Sequence, residues 1–223
     1  MIRAVLFDLH GTLAYVENPV SDFEISDYLF SRGYEVSPQQ LRAAWFYVSM
    51  IDYPKYGYKS WRSYFSRILW RLGVKVDRET LDWIVRLLSS RSYKLYPDAA
   101  EAVIKAKENG LKTAIVTTIA YFQFKEAIQP IKNYIDFVMT GYEAKCDKSN
   151  PRMYRKILEI LRVKPEEAVM IGDNIPIDII LPKKLGIKTI LLNRSKNKIE
   201  CKQADVIVNN LKQAIEAITI HLI

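Results

Sequence analysis

Ile2, Ala4, Val5, Leu6 and Phe7 make an almost unbroken apolar run that ends on a carboxylate, Asp8, before Gly11 and Thr12 turn the chain. A strand with one wet face alternates apolar and polar residues, whereas a continuous run marks a strand buried on both faces of a parallel sheet. Parallel strands need crossover connections, usually helices, so this one stretch already implies an α/β architecture. An acid at the C-terminal end of such a strand stands where open α/β sheets hold their ligands. It also suits a helix N-cap or an Asx turn, and the stretch alone leaves both readings open.

The next segment is different in kind. From about Ser21 to Ser92 no strong strand run occurs, and apolar residues recur at helical spacing. Ser21 begins one helix, and Ser37-Pro38-Gln39-Gln40 begins another with a capping-box pattern and Pro at the first helical position. Tyr53-Pro54 to Gly57 is read as a break, Trp61 to Leu72 as an amphipathic helix stopped by Gly73, and Asp77 as the start of a last helix. From Leu95 onward apolar strands alternate with helices. Strands are expected at 112–117, 134–140, 168–171, 188–192 and 205–208, with helices at 99–107, 120–128, 151–161, 176–185 and 211–222. Two of these strands end, like the first, on residues with chemistry: Thr117 and Gly172-Asp173.

Composition narrows the function classes. A chain of 223 residues with 49% apolar content has ample material for a core, and no apolar run approaches the ~20 residues of a membrane span. The sequence enters its first strand without a basic-then-apolar leader, and Cys146 and Cys201 make neither a disulfide framework nor a metal-ligand spacing, so a cytoplasmic location is expected. The net charge of +8 is spread along the chain without a dense basic tract, which reads as a solvated surface with a general preference for anions.

Four motifs in order now carry a resemblance. Phe7-Asp8-Leu9-His10-Gly11-Thr12-Leu13 resembles the first motif of the haloacid dehalogenase (HAD) superfamily, whose phosphatase members typically read Asp-x-Asp-Gly-Thr. Ala114-Ile115-Val116-Thr117 resembles the second, a strand ending in Ser or Thr, with Thr118 a neighbouring candidate. Lys148-Ser149-Asn150-Pro151 through Tyr154 resembles the third, with Lys145 close by and Ser149 where relatives often carry Pro. Gly172-Asp173 followed by Asp178 resembles the fourth. The resemblance covers nearly the whole chain and implies a Rossmann-like doubly wound parallel core, residues 1–15 and 95–223, with an α-helical cap inserted at residues 16–94.

The resemblance also implies the chemistry. Asp8 would be the nucleophile that takes a phosphoryl group. Thr117 and Lys148 would stabilise the charge on that group, and Mg²⁺ would be held by Asp8, Asp173 and the backbone carbonyl of His10, with Asp178 in support. The expected substrate is a small phosphorylated metabolite rather than a protein or nucleic acid, and no membrane is involved. Monomer and homodimer stay equally open. Tyr47, Tyr53, Tyr58, Trp61 and Arg62 are candidates for the entrance under the cap, although aromatics at helical spacing more often form a cap's own core.

One residue departs from the pattern. Phosphatase relatives carry Asp two positions after the nucleophile as general acid/base, and this chain carries His10. Histidine, with an unperturbed pKa near ~6.5, is suited to that role near neutral pH. The alternatives are a slow or vestigial activity in a binding or regulatory protein, and a metal-independent dehalogenase, whose branch carries a non-acidic residue here. That branch generally lacks the metal-binding acid of the fourth motif, which this chain keeps in Asp173.

Overall fold

In the computed structural model, which describes residues 1–90, 92–195, 197 and 199–221, the first apolar run forms β1 (Ala4–Phe7) at the middle of a six-stranded parallel sheet. The chain continues through β2 (Ala14–Val16), α1 (Asp22–Ser31), α2 (Pro38–Tyr47), α3 (Tyr53–Tyr56), α4 (Trp61–Leu72), α5 (Arg78–Ser90) and β3 (Tyr93–Leu95). Next come α6 (Ala99–Glu108), β4 (Lys112–Val116), α7 (Tyr121–Phe124), β5 (Phe137–Met139), α8 (Gly141–Ala144) and α9 (Pro151–Leu161). Last are β6 (Ala168–Gly172), α10 (Leu181–Lys184), β7 (Lys188–Leu192), β8 (Val206–Val208) and α11 (Leu211–His221).

The sheet order is β5-β4-β1-β6-β7-β8, so the chain winds outward from β1 in both directions. This is a doubly wound α/β fold, and its crevice opens beyond the C-terminal end of β1, between β4 and β6. Side-chain alternation sends Val5, Phe7, Ile115, Val169 and Ile171 into one layer with α6 and α11. Ala4, Leu6, Ala114, Val116 and Met170 go into the other, against Met153, Tyr154, Ile157 and Leu161 of α9. Helix α9 can cover the sheet because its buried residues recur at helical spacing. Asn150 caps it by accepting from the Arg152 N–H at 2.9 Å, and Pro151 occupies its first turn.

The helices between β2 and β3 bury their apolar faces largely on one another, around Ile25, Leu29, Leu41, Phe65, Ile68 and Ile84. Ala120 and Phe122 reach into that cluster from the sheet side. Ser21 and Ser37 cap α1 and α2 as their sequences predict, and Ser37 and Gln40 complete the capping box. Among the described residues no helix is long and apolar enough to cross a membrane.

Several boundaries differ from the sequence reading. The chain does not break at Tyr53-Pro54: a π-helical turn, Val48–Asp52, runs directly into α3, and the break comes at Gly57. The helix expected at 176–185 is likewise a π-helical turn, Ile175–Ile180, followed by the short α10. Both wide turns lie just before a proline, Pro54 or Pro182, which offers no N–H to the carbonyl four residues back and crowds it. The expected helix at 120–128 is regular only over Tyr121–Phe124. Residue 222 of the expected terminal helix lies outside the described residues. One element was not anticipated: β2 and β3 pair antiparallel, Ala14 opposite Leu95 and Val16 opposite Tyr93. This two-stranded ribbon carries the chain out to the helical segment and back.

Candidate active site

Three of the sequence-predicted residues reach the crevice because each directly follows a central strand. Asp8 follows β1 and its N–H donates to Ile171 O of β6 at 2.9 Å. Thr117 follows β4, and its N–H donates to Met139 O at 2.9 Å. Asp173 follows β6. Thr117 is buried, and its hydroxyl accepts from the Ile119 N–H at 3.2 Å, a bond that uses a lone pair and not the proton.

Lys148 arrives from the loop before α9. Its N–H donates to the Thr118 hydroxyl at 3.0 Å, which gives Thr118 a structural task beside the site. The Lys148 ammonium, 3% exposed, touches Asp8 Oδ1 and lies 2.7 Å from Asp178 Oδ1. Lys145 is elsewhere: it closes α8 in a left-handed conformation with its ammonium 3.4 Å over the Tyr142 ring.

Asp178 sits on the π-helical turn after β6 and is fully buried. Its Oδ2 accepts from the Asn174 N–H at 3.1 Å. Its Oδ1 lies against the Lys148 ammonium, 2.7 Å away, and has no other hydrogen-bond partner among the described residues. Tyr154, quoted above only as part of a motif, donates from its hydroxyl to Ile177 O at 2.6 Å and so fixes the turn that carries Asp178.

Electrostatics follow from burial with too few cations. Burial raises the Asp8 carboxyl above its ordinary range, with Lys148 opposing and Asp173 adding to the rise. Burial likewise pushes Asp178 up to about 6 against the pull of Lys148. Asp173 is raised by burial and by the charge of Asp178. Lys148 remains a firm cation, because the two carboxylates outweigh the cost of burying it. One oxygen from each of Asp8, Asp173 and Asp178 lies within 4.8 Å of the others. Ionised, these three acids face one ammonium and leave two negative charges uncompensated. An all-oxygen donor set with that deficit suits a hard divalent cation such as Mg²⁺.

The turn after Asp8 is shaped around Asp173. Gly11 has φ +82°, and a Cβ there would come within 2.2 Å of Asp173 Oδ2. The His10 side chain is exposed and meets the Tyr93 ring edge to face, with centroids 5.7 Å apart. Tyr93 packs also on Phe124, and burial followed by the charge of Asp8 raises its phenol. Sequence reasoning missed Tyr93, a lone aromatic just after a helical stretch, which carries no local signal.

The candidate entrance residues serve mostly the helical segment itself. Tyr53 is buried, with its hydroxyl 2.7 Å from the Thr140 hydroxyl. Tyr58 and Trp61 pack on the helical cluster, Tyr47 stacks under Arg71, and Arg62 pairs with Asp82.

A family model described as hydrolase, haloacid dehalogenase-like hydrolase, matches residues 2–186. A glyceraldehyde 3-phosphate phosphatase of Pyrococcus furiosus is 30% identical over 128 residues, which span 55% of this chain and about half, 53%, of that protein. A putative pyrophosphatase PpaX of Caldanaerobacter subterraneus is 26% identical over 87% of this chain and 83% of its own. Among solved structures, a 2-haloacid dehalogenase from Pseudomonas syringae superposes with a TM-score of 0.71 at 17% identity, over 98% of this chain and 99% of that one. At that identity the last likeness speaks for the fold alone.

Proposed function

The chain belongs to the haloacid dehalogenase-like hydrolases, and from that premise we propose that it hydrolyses small phosphate monoesters with Asp8 as nucleophile. The observation that carries this reading is the acid that follows β6. Asp173 is kept, the turn at Gly11 is shaped around it, and with Asp8 and Asp178 it forms an oxygen cluster short of two positive charges. A carboxylate attacking an anionic phosphate needs such charge compensation, whereas displacement of a halide from carbon does not. The two phosphatase-type relatives point the same way.

Asp8, Asp173 and the carbonyl of His10 would hold Mg²⁺, with Asp178 behind them, and the bound ion would neutralise charge on the phosphoryl group. Asp8 attacks phosphorus in line and the ester oxygen leaves, so that the phosphoryl group passes to the aspartyl side chain. The Lys148 ammonium, held between Asp8 and Asp178, and the Thr117 hydroxyl stabilise the equatorial oxygens. His10, exposed at the mouth, protonates the leaving oxygen and then takes a proton from the water that hydrolyses the aspartyl phosphate. Residues 1–15 and 95–223 form the catalytic core in this reading, and residues 16–94 are a cap that selects small metabolites and excludes water. A cytoplasmic protein with two free thiols, Cys146 and Cys201, fits this role.

The test is phosphate release from a generic aryl phosphate by the wild type and Asp8→Asn, with and without Mg²⁺. Mg²⁺-dependent release that Asp8→Asn abolishes supports the reading. Halide release from a haloacid that persists in EDTA, with no phosphatase activity, overturns it.

A further inference from the structure

Arg194 follows β7 at the C-terminal edge of the sheet, one strand beyond the turn that carries Asp178. Its guanidinium makes a forked pair with Asp98, Nη2 to Oδ1 at 2.9 Å and Nη1 to Oδ2 at 3.2 Å. The same Nη2 donates to the carbonyl of Thr12 at 2.8 Å, and the guanidinium carbon lies 3.9 Å over the Tyr96 ring. Thr12 and Tyr96 stand at the base of the two strands of the β2–β3 ribbon, where Tyr96 N–H donates to Leu13 O at 2.9 Å.

One side chain thus grips both crossings to the helical segment, and on the outgoing side it does so two residues after His10. Asp98 is committed to this task. It stands before α6 but gives that helix no side-chain cap, and its Oδ2 accepts instead from the Leu211 N–H of α11 at 2.8 Å. The arrangement is strict enough that Arg194 Nε is buried with no hydrogen-bond partner among the described residues. A planar fork with fixed donor directions serves three partners at once, which a lysine cannot do.

We propose that Arg194, held by Asp98, is a positioning residue for hydrolysis: it braces the turn carrying His10 and the base of the ribbon against the sheet edge. The inference rests on the phosphatase reading for its kinetic consequence, though not for the brace itself. The turn closes on itself through Gly11 N–H to Ala14 O at 2.9 Å and Ala14 N–H to Leu9 O at 2.8 Å, and the bond to the Thr12 carbonyl ties it to Arg194. Loss of that tie lets the turn shift, and small displacements of a catalytic group cost about tenfold to hundredfold in rate.

The experiment compares wild type, Arg194→Met and Arg194→Lys on an aryl phosphate with Mg²⁺, well below their melting temperatures, together with amide hydrogen exchange. Expected for Arg194→Met is a kcat lowered by about tenfold or more with KM within about twofold, and faster exchange at residues 11–16 and 93–97. Arg194→Lys, which keeps the charge, restores the melting temperature more than it restores kcat. Unchanged exchange at the ribbon overturns the brace, whatever the kinetics. Faster exchange with wild-type kcat, or full recovery of kcat by lysine, overturns the positioning role. If the wild type turns over no phosphate ester, the phosphatase reading fails separately, and exchange alone decides the brace.

Discussion

The ammonium of Lys148 lies 2.7 Å from Asp178 Oδ1 while it also touches Asp8, and all three side chains are withdrawn from solvent. One cation is therefore shared by two buried acids that come from opposite ends of the chain. Lys148→Met removes the ammonium that is paired with two of the three acids of this cluster. Breaking a buried pair by deleting one partner costs about 3–5 kcal/mol. The metal-free variant is expected to unfold earlier in urea by that order, with part of the loss regained in Mg²⁺. Its kcat on an aryl phosphate is expected to fall by about 10²–10³-fold, the scale for losing a donor to developing charge.

Gly11 and Gly33 give a matched pair of tests. Both have φ +82°, but a Cβ on Gly11 would strike Asp173 Oδ2 while one on Gly33 meets nothing within 4 Å. Gly33→Ala should cost only backbone strain, about 1–2 kcal/mol, with Mg²⁺ dependence unchanged. Gly11→Ala adds displacement of Asp173 and should raise the Mg²⁺ concentration needed for half-maximal activity by about tenfold or more. Titration of activity with Mg²⁺ separates the two.

His10→Asp restores the acid that phosphatase relatives carry at this position. Turnover is expected to rise by about tenfold, within the range that a well-matched acid/base contributes. Steady-state kinetics under saturating substrate and Mg²⁺ measure it. Equal or slower turnover would show histidine to be the acid/base for which this site is built.

Asp52 predicts an acid limb in the stability of the helical segment. Its carboxylate, 2% exposed, takes the Arg67 guanidinium at 2.7 Å and that of Arg71 at 2.6 Å. Burial alone would raise its pKa, but hydrogen bonds from Arg71 and Arg67 outweigh burial and hold it below 3.8. A depressed folded pKa means that the native state binds fewer protons than the unfolded state. The stabilisation is present above about pH 4 and disappears as pH falls through the folded value. Asp52→Asn should cost about 3 kcal/mol at neutral pH and flatten the loss of stability below pH 4, both read from urea midpoints across pH.

Much of this was legible in the sequence for identifiable reasons. Strands buried on both faces read as continuous apolar runs, which exposed β1 and β6. Asp8, Thr117 and Asp173 each follow such a strand directly, so a linear reading places them at one edge of the sheet. What escaped depends on partners distant in the chain. The ribbon joins two three-residue strands about eighty residues apart, too short for any periodicity. The Asp98 carboxylate reads locally as the start of a helix, yet it serves Arg194 and α11. The wide turn under Asp178 comes from Pro182, read only as part of a helix.

The most direct test is peptide mapping by mass after rapid acid quench of enzyme turning over an aryl phosphate in Mg²⁺. The expected result is one phosphoryl group on the peptide containing Asp8, absent in Asp8→Asn, absent without Mg²⁺, and longer-lived in the wild type than in His10→Asp. Steady turnover that survives Asp8→Asn, with no phosphoryl group on that peptide, would contradict it.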